Sequence, residues 1–70
     1  MMKRVPAPDG FEGSRCYEDA IREWAVYARP VGATWWTKCG FAGHPGLAEE
    51  ELDQKSTVLI NQWVGLGMVK

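Results

Sequence analysis

The residues best suited to chemistry in this 70-residue chain are its two cysteines, Cys16 and Cys39, and its one histidine, His44. A cysteine thiolate with a histidine base is the one nucleophilic pair that they offer. Cys39 and His44 are separated in the sequence by Gly40 and Gly43, which leaves the geometry of such a pair undefined. A chain of this length also has little room for an enclosed substrate pocket. The sequence therefore predicts a protein that is not an enzyme.

A metal site is not predicted either. Structural zinc sites use four Cys, His or acidic ligands, usually in closely spaced pairs, and the chain has no C-x-x-C or H-x-x-x-H pair. We therefore expect no metal and no other cofactor. The basic N-terminus lacks the apolar segment of a secretory signal, so both cysteines are expected to be free. No stretch approaches the roughly 18 apolar residues of a membrane span, so a cytoplasmic location is expected.

The charge balance disfavours a nucleic-acid partner. Eight basic and nine acidic residues give a formal net charge of −1, whereas nucleic-acid binders rely on excess positive charge to neutralise phosphates. One segment, STVLINQWVGLGMVK, nevertheless resembles the recognition helix of a winged-helix protein and the start of its wing. The resemblance implies a small helix-turn-helix or winged-helix-like DNA-binding regulator, with Lys55, Asn61 and Gln62 as the polar residues that read bases.

Tryptophan is the most distinctive residue type, with four in the chain. A core this small has little room for four indoles, and large rigid rings are favoured at protein interfaces. Trp35 and Trp36 are adjacent, so they cannot both point inward. On a strand Trp36 would share its face with Thr34 and Lys38, which makes it the better candidate for exposure; the alternative is that this indole folds back over the core. We therefore predict a partner-binding surface of Trp35, Trp36, Lys38 and Phe41.

Two amphipathic helices are predicted to position these residues. The first spans about 15–28, where Ser14 offers an N-cap and Pro30 ends the helix. The second spans about 47–64, begins with an acidic turn and ends near Gly65; a break at DQKS, as in a helix-turn-helix, is the alternative. Apolar residues at helical spacing supply the predicted core or dimer contacts: Tyr17, Ile21, Trp24, Leu52, Leu59, Ile60, Trp63 and Leu66.

The predicted fold class is therefore mainly α, with the two helices joined by a short Trp/Gly-rich connector. Within this connector, residues 33–39 fit either a short helix or a strand. Residues 1–13 are rich in proline and are predicted to be a flexible N-terminal arm, leaving 14–70 as a single small helical domain. Because two helices alone expose apolar surface, dimerisation is expected to complete the core.

The function predicted from these features is non-enzymatic binding of another protein, as a small adaptor or inhibitor. Size alone suggests a viral or mobile-element accessory protein. The protein is expected to act as a homo-oligomer in the cytoplasm, with nucleic acid disfavoured as a partner and no membrane association. The sequence does not indicate which protein is bound.

Overall fold

A four-stranded antiparallel sheet is the largest part of the regular structure, and one helix covers one of its faces. The computed structural model describes residues 2–70. The strands are adjacent in chain order, and the elements are β1 (Met2–Val5), β2 (Phe11–Glu18), β3 (Glu23–Pro30), β4 (Thr37–Gly43) and α1 (Glu49–Gly65). The predicted mainly α fold with two helices is therefore wrong. Residues 2–70 form four strands and one helix, so the expected helical protein is in fact mainly a sheet.

The segment 15–28, predicted as the first helix, is most of the β2–β3 hairpin. Tyr17 pairs with Trp24, and Arg15 pairs with Val26. The turn between the strands places Arg22 in the left-handed region, with φ of 54°. Glycine or asparagine is the usual sequence signal for that conformation. This signal is missing here, and the nearby charges fit helical spacing, so the local sequence pattern indicates a helix. The pairing of β2 with β3 decides the structure instead.

The predicted flexible arm, 1–13, contains β1, a connecting turn and the beginning of β2, and its first residue lies outside the described residues. In the β1–β2 pair, Lys3 is opposite Arg15 and Val5 is opposite Gly13. Val5 is buried in the core. The N-terminal segment is therefore part of the sheet, and no boundary separates it from the rest of the domain.

Side chains alternate between the inner face of the sheet, which α1 covers, and the outer face on the opposite side. Gly13 lies on the inner face, where a Cβ atom would be only 2.6 Å from the Ile60 Cδ1 atom. The absence of a side chain at Gly13 thus lets α1 pack closely on β2. The buried core between helix and sheet consists of Val5, Val26, Ala28, Cys39, Ala42, Leu52, Ile60 and Val69.

Strand β4, at one edge of the sheet, is irregular. Its pairing with β3 shifts twice, so that Cys39 and Ala42 have no partner in β3. The two glycines of the strand have φ values of 133° and 143°, which other residues rarely adopt. The resulting bulges turn Cys39 and Ala42 into the core and leave Lys38 and Phe41 on the outer face. Of the open alternatives for 33–39, strand therefore applies from Thr37 onward.

The predicted second helix is confirmed as α1, which is continuous through DQKS. Ser56 is fully buried inside this helix, and its hydroxyl donates a hydrogen bond to the Leu52 carbonyl at 2.6 Å. After the helix, Gly67 adopts a φ of 73°. The amides of Gly67 and Met68 donate to the carbonyls of Val64 and Trp63, a Schellman cap. This cap ends the helix, and Val69 then packs in the core.

The predicted core residues are only partly in the core. Five of them are buried there or pack against it while half-buried: Trp24, Leu52, Leu59, Ile60 and Trp63. Tyr17 is half-buried, with its ring centroid 5.5 Å from that of Trp24. Ile21 is exposed in the β2–β3 turn, and Leu66 is 75% exposed after α1. Ile21 is outside the core because the helix that was to align it with Trp24 does not form, and Leu66 is outside it because α1 ends at Gly65.

A fully buried arginine joins the helix to the sheet. Arg15 projects from β2 on the inner face and donates hydrogen bonds to Glu49 and Asp53 of α1. Its guanidinium carbon lies 5.0 Å from the centroid of a Trp24 ring. A hydrogen bond from Lys3 and the charge of Arg15 hold the pKa of Glu49 below its ordinary value. Burial of the arginine is tolerated because its charge is paired, and the pairing fixes the first turns of α1 on the sheet.

Candidate protein-binding surface

The side chains predicted to contact a partner come from β4 and the loop that precedes it. In the β3–β4 pair, Lys38 is opposite Tyr27 and Phe41 is opposite Ala25, and all four are on the outer face. The loop between these strands, 31–36, brings both central tryptophans to the same end of β4. The four predicted residues thus belong to β4 and the loop before it, with Lys38 in contact with Phe41, although their exposure differs from the prediction.

Trp36 is held against the outer face by two arginines. The guanidinium carbon of Arg29 lies 4.2 Å from the centroid of a Trp36 ring, and that of Arg4 lies 5.5 Å away. Both arginines also form ion pairs with Glu12, at 2.6 Å from Arg4 and 3.4 Å from Arg29. The hydrogen bond from Arg4, with the charge of Arg29, lowers the pKa of Glu12. This arrangement fixes the end of the β3–β4 loop.

Trp35, rather than Trp36, is the exposed tryptophan. Its side chain is 73% exposed, whereas Trp36 is half-buried in contact with the arginines. The expectation that Trp36 is the more exposed is therefore wrong, because the indole packs back over the sheet. For binding, the consequence is that the exposed Trp35 precedes in the chain a residue, Trp36, whose side chain is held in place.

Lys38 and Phe41 form a second contact on the outer face. The Lys38 amino group lies 4.6 Å from the centroid of the Phe41 ring and 3.2 Å from a carboxylate oxygen of Glu18. The Tyr27 hydroxyl also donates to Glu18, at 3.4 Å, and burial raises the pKa of this tyrosine. Phe41 is 43% exposed. We refer to Trp35, Lys38 and Phe41 as the β4 surface.

A groove runs between β4 and α1. It has a volume of about 480 Å³, and its lining residues are Phe41, Ala42, Gln54, Lys55, Val58, Leu59 and Gln62. Phe41 belongs to both the groove and the β4 surface, so the two are continuous. We refer to this feature as the β4–α1 groove.

The residues of the DNA-binding prediction all lie on α1 and are exposed, but they do not form one surface. Lys55 and Gln62 line the β4–α1 groove, whereas Asn61 is outside its lining. Within residues 2–70, α1 is the one helix, so the pair of helices that a helix-turn-helix requires is absent there. Most of the segment STVLINQWVGLGMVK therefore does lie in a helix, as the resemblance implies, but the second helix of a helix-turn-helix is not found within residues 2–70.

The residues considered for chemistry are not brought together. Cys16 and Cys39 are free cysteines, and burial raises the pKa of the Cys39 thiol, which disfavours a thiolate. His44 is exposed in the loop before α1, where its Nδ1 atom accepts a hydrogen bond from the Gly46 amide at 3.1 Å. No three Cys, His, Asp or Glu side chains of the described chain are grouped to hold a metal ion. Nor has any helix between residues 2 and 70 the length and apolar character to cross a membrane.

Comparisons of the chain with protein-family models, with curated proteins and with solved structures found no match. The candidate protein-binding surface therefore rests on the contacts and exposure of its own residues alone. Sequence reasoning missed Arg4, Glu12 and Arg29, which hold Trp36. Their contacts join three strands, so only the strand register reveals them.

Proposed function

We propose that the protein is a non-enzymatic protein-binding module, acting as a small adaptor or inhibitor, and that the β4 surface contacts the partner. The observation that carries the proposal is the 73% exposure of Trp35 beside the fixed Trp36. Because the side chain of the next residue, Trp36, is held in place, ordering the backbone at Trp35 on binding costs little conformational entropy, and tryptophan is enriched among residues that dominate binding energy. Phe41, with Lys38 against its ring, extends the contact area.

The proposal does not depend on a homodimer. The expected reason for dimerisation was the unpaired apolar face of two helices, but here the sheet covers the apolar side of α1. Light scattering coupled to gel filtration tests the oligomeric state directly, with a monomer as the expected result.

A cytoplasmic setting is part of the proposal, and a viral or mobile-element accessory role remains a hypothesis from size. The two free cysteines support a reducing compartment. If the partner is an enzyme, its activity in the presence of the chain separates the two roles. An inhibitor lowers that activity, whereas an adaptor leaves it unchanged.

The experiment that tests the proposal is affinity capture with Trp35→Ala and a matched control, Val31→Ala. Val31 is an apolar residue of the same loop and is 65% exposed. We expect Trp35→Ala to weaken partner binding by about 30-fold or more, the usual loss at a dominant interface tryptophan, and Val31→Ala to have little effect. Neither variant should change the melting temperature. Undiminished capture by both Trp35→Ala and Phe41→Ser would contradict the proposal.

A further inference from the structure

We infer that the β4–α1 groove binds an acidic, extended segment of the partner that carries apolar side chains. This inference rests on the proposed function, because it specifies which part of a protein partner the chain recognises. It uses a different set of contacts from the exposed Trp35. The two can therefore be tested separately.

The first support is the apolar part of the groove. Phe41 and Ala42 from the strand and Val58 and Leu59 from the helix contribute to its lining, and Val58 is 54% exposed. A volume of about 480 Å³ is within the range of sites that enclose small ligands or a few side chains. Large apolar side chains of a partner can thus be buried against residues that are now in contact with water.

The second support is the charge of the groove. Its lining includes Lys55 and no Asp or Glu of the described residues. Lys38, whose amino group contacts the Phe41 ring, is already paired with Glu18, so Lys55 is the basic residue of the lining without an acidic residue beside it in the groove. Complementary charge across an interface favours carboxylates in the partner. Glu50 and Glu51 border Lys55 on the surface away from β4, so we expect partner carboxylates to lie on the β4 side.

The third support concerns the backbone of β4. The strand is at the edge of the sheet, but its two bulges interrupt the regular spacing of groups that an added strand would need. A bound segment must therefore be held mainly through its side chains. The side-chain amides of Gln54 and Gln62 line the groove and provide donors and acceptors for its backbone.

The test is selection of peptides by the full chain from a displayed library of random dodecapeptides. We expect the selected peptides to have net negative charge and at least one Leu, Phe, Trp or Ile flanked by Asp or Glu. Labelled copies are then titrated by fluorescence anisotropy against the wild-type chain and variants. Selection of neutral or basic peptides would overturn the inference.

Charge reversal locates the binding site. Lys55→Glu should weaken the selected acidic peptides about tenfold, since it replaces an attraction with a repulsion, whereas Lys70→Glu changes the net charge equally, outside the groove, and should have little effect. Val58→Thr, which keeps the side-chain shape, should weaken binding severalfold. Equal effects of Lys55→Glu and Lys70→Glu would overturn the inference. So would displacement of the peptide by a twelve-nucleotide oligothymidine, which would indicate a general polyanion site.

The outcomes also separate this inference from the proposed function. If the library gives no peptide but the chain still captures a partner in a Trp35-dependent manner, the groove inference is wrong and protein binding stands. If the acidic peptides bind and Trp35→Ala has no effect on partner capture, the groove is the binding site and the β4 surface is not. If the library gives no peptide and Trp35→Ala has no effect on partner capture, both the groove inference and the proposed function are rejected.

Discussion

The two faces of the sheet use the same pairing of arginine with tryptophan for different purposes. On the inner face, Arg15 is fully buried beside Trp24 and is paired with carboxylates of α1. On the outer face, Arg29 packs on Trp36 and is paired with Glu12, with partial access to solvent. The inner pair joins the helix to the sheet, and the outer pair fixes a loop that presents Trp35.

The comparison shows that burial, rather than residue type, sets the energetic role of such a contact. A guanidinium removed from water must keep its partners, so the inner contact is essential to the fold. The outer pair is less dependent on Arg29, because Arg29 keeps some contact with water and Glu12 keeps Arg4 as a second partner. The outer face can therefore change for binding without unfolding the protein.

The largest expected effect comes from the same substitution on each face. Arg15→Ala leaves a cavity at a fully buried position and removes both ion pairs to α1, so the free energy of unfolding should fall by about 3–5 kcal/mol, most of it from the cavity. Arg29→Ala should cost less, about 1–2 kcal/mol, because Glu12 keeps its pair with Arg4. Urea unfolding of both variants measures the difference. Similar losses for the two would contradict the distinction between the faces.

A smaller effect is expected where the helix packs on the sheet. In Gly13→Ala the new Cβ would lie 2.6 Å from Ile60 Cδ1 and 2.9 Å from the Val5 carbonyl oxygen, so we expect a loss of about 1–3 kcal/mol from overpacking. Gly65→Ala is the control, since nothing lies within 4 Å of its Cβ position. In a helix this change should stabilise by about 0.5–1 kcal/mol. Thermal unfolding that shows both changes to be neutral would refute close packing at Gly13.

On the outer face, Trp36→Ala should reduce the free energy of unfolding by about 1–2 kcal/mol, because it removes two cation–π contacts. The loop 31–36 should also be cleaved faster by chymotrypsin, which can still cut at Trp35. Trp35→Ala should leave stability unchanged. If Trp36→Ala altered neither stability nor cleavage, the arginines would not hold the loop.

The smallest expected effect is the response to acid. The pKa of Glu49 is lower in the folded chain than its ordinary value of 4.5, so the unfolded state binds more protons between the two values. The stabilisation is therefore complete above the ordinary pKa and is lost as the pH falls through the folded-state pKa. Glu12 on the outer face behaves in the same sense. Glu49→Gln should flatten the dependence of melting temperature on pH below 4.5; an unchanged slope would exclude this contribution.

The part of the fold that sequence reasoning predicted correctly is α1, together with the region that contains the candidate surface. Helix α1 was predictable because its acidic first turn, apolar spacing and glycine end are local signals. The β2–β3 hairpin was missed although Trp24–Ala28 is a run of apolar residues typical of a central strand. Its turn lacks the usual glycine, and Arg22 takes the left-handed conformation instead.

For the site, the sequence by itself determined that the chain has more tryptophan side chains than a core of this size can bury, and that the region 35–41 carries exposed aromatic residues. Only the tertiary structure decided which tryptophan is exposed, because that depends on Arg4 and Arg29 from two other strands. It also decided that Arg15 is buried and that Lys55 and Gln62 share a groove with Phe41. The physical reason is that helical signals are local in the chain, whereas strand register, burial and grooves arise from contacts between residues far apart in sequence.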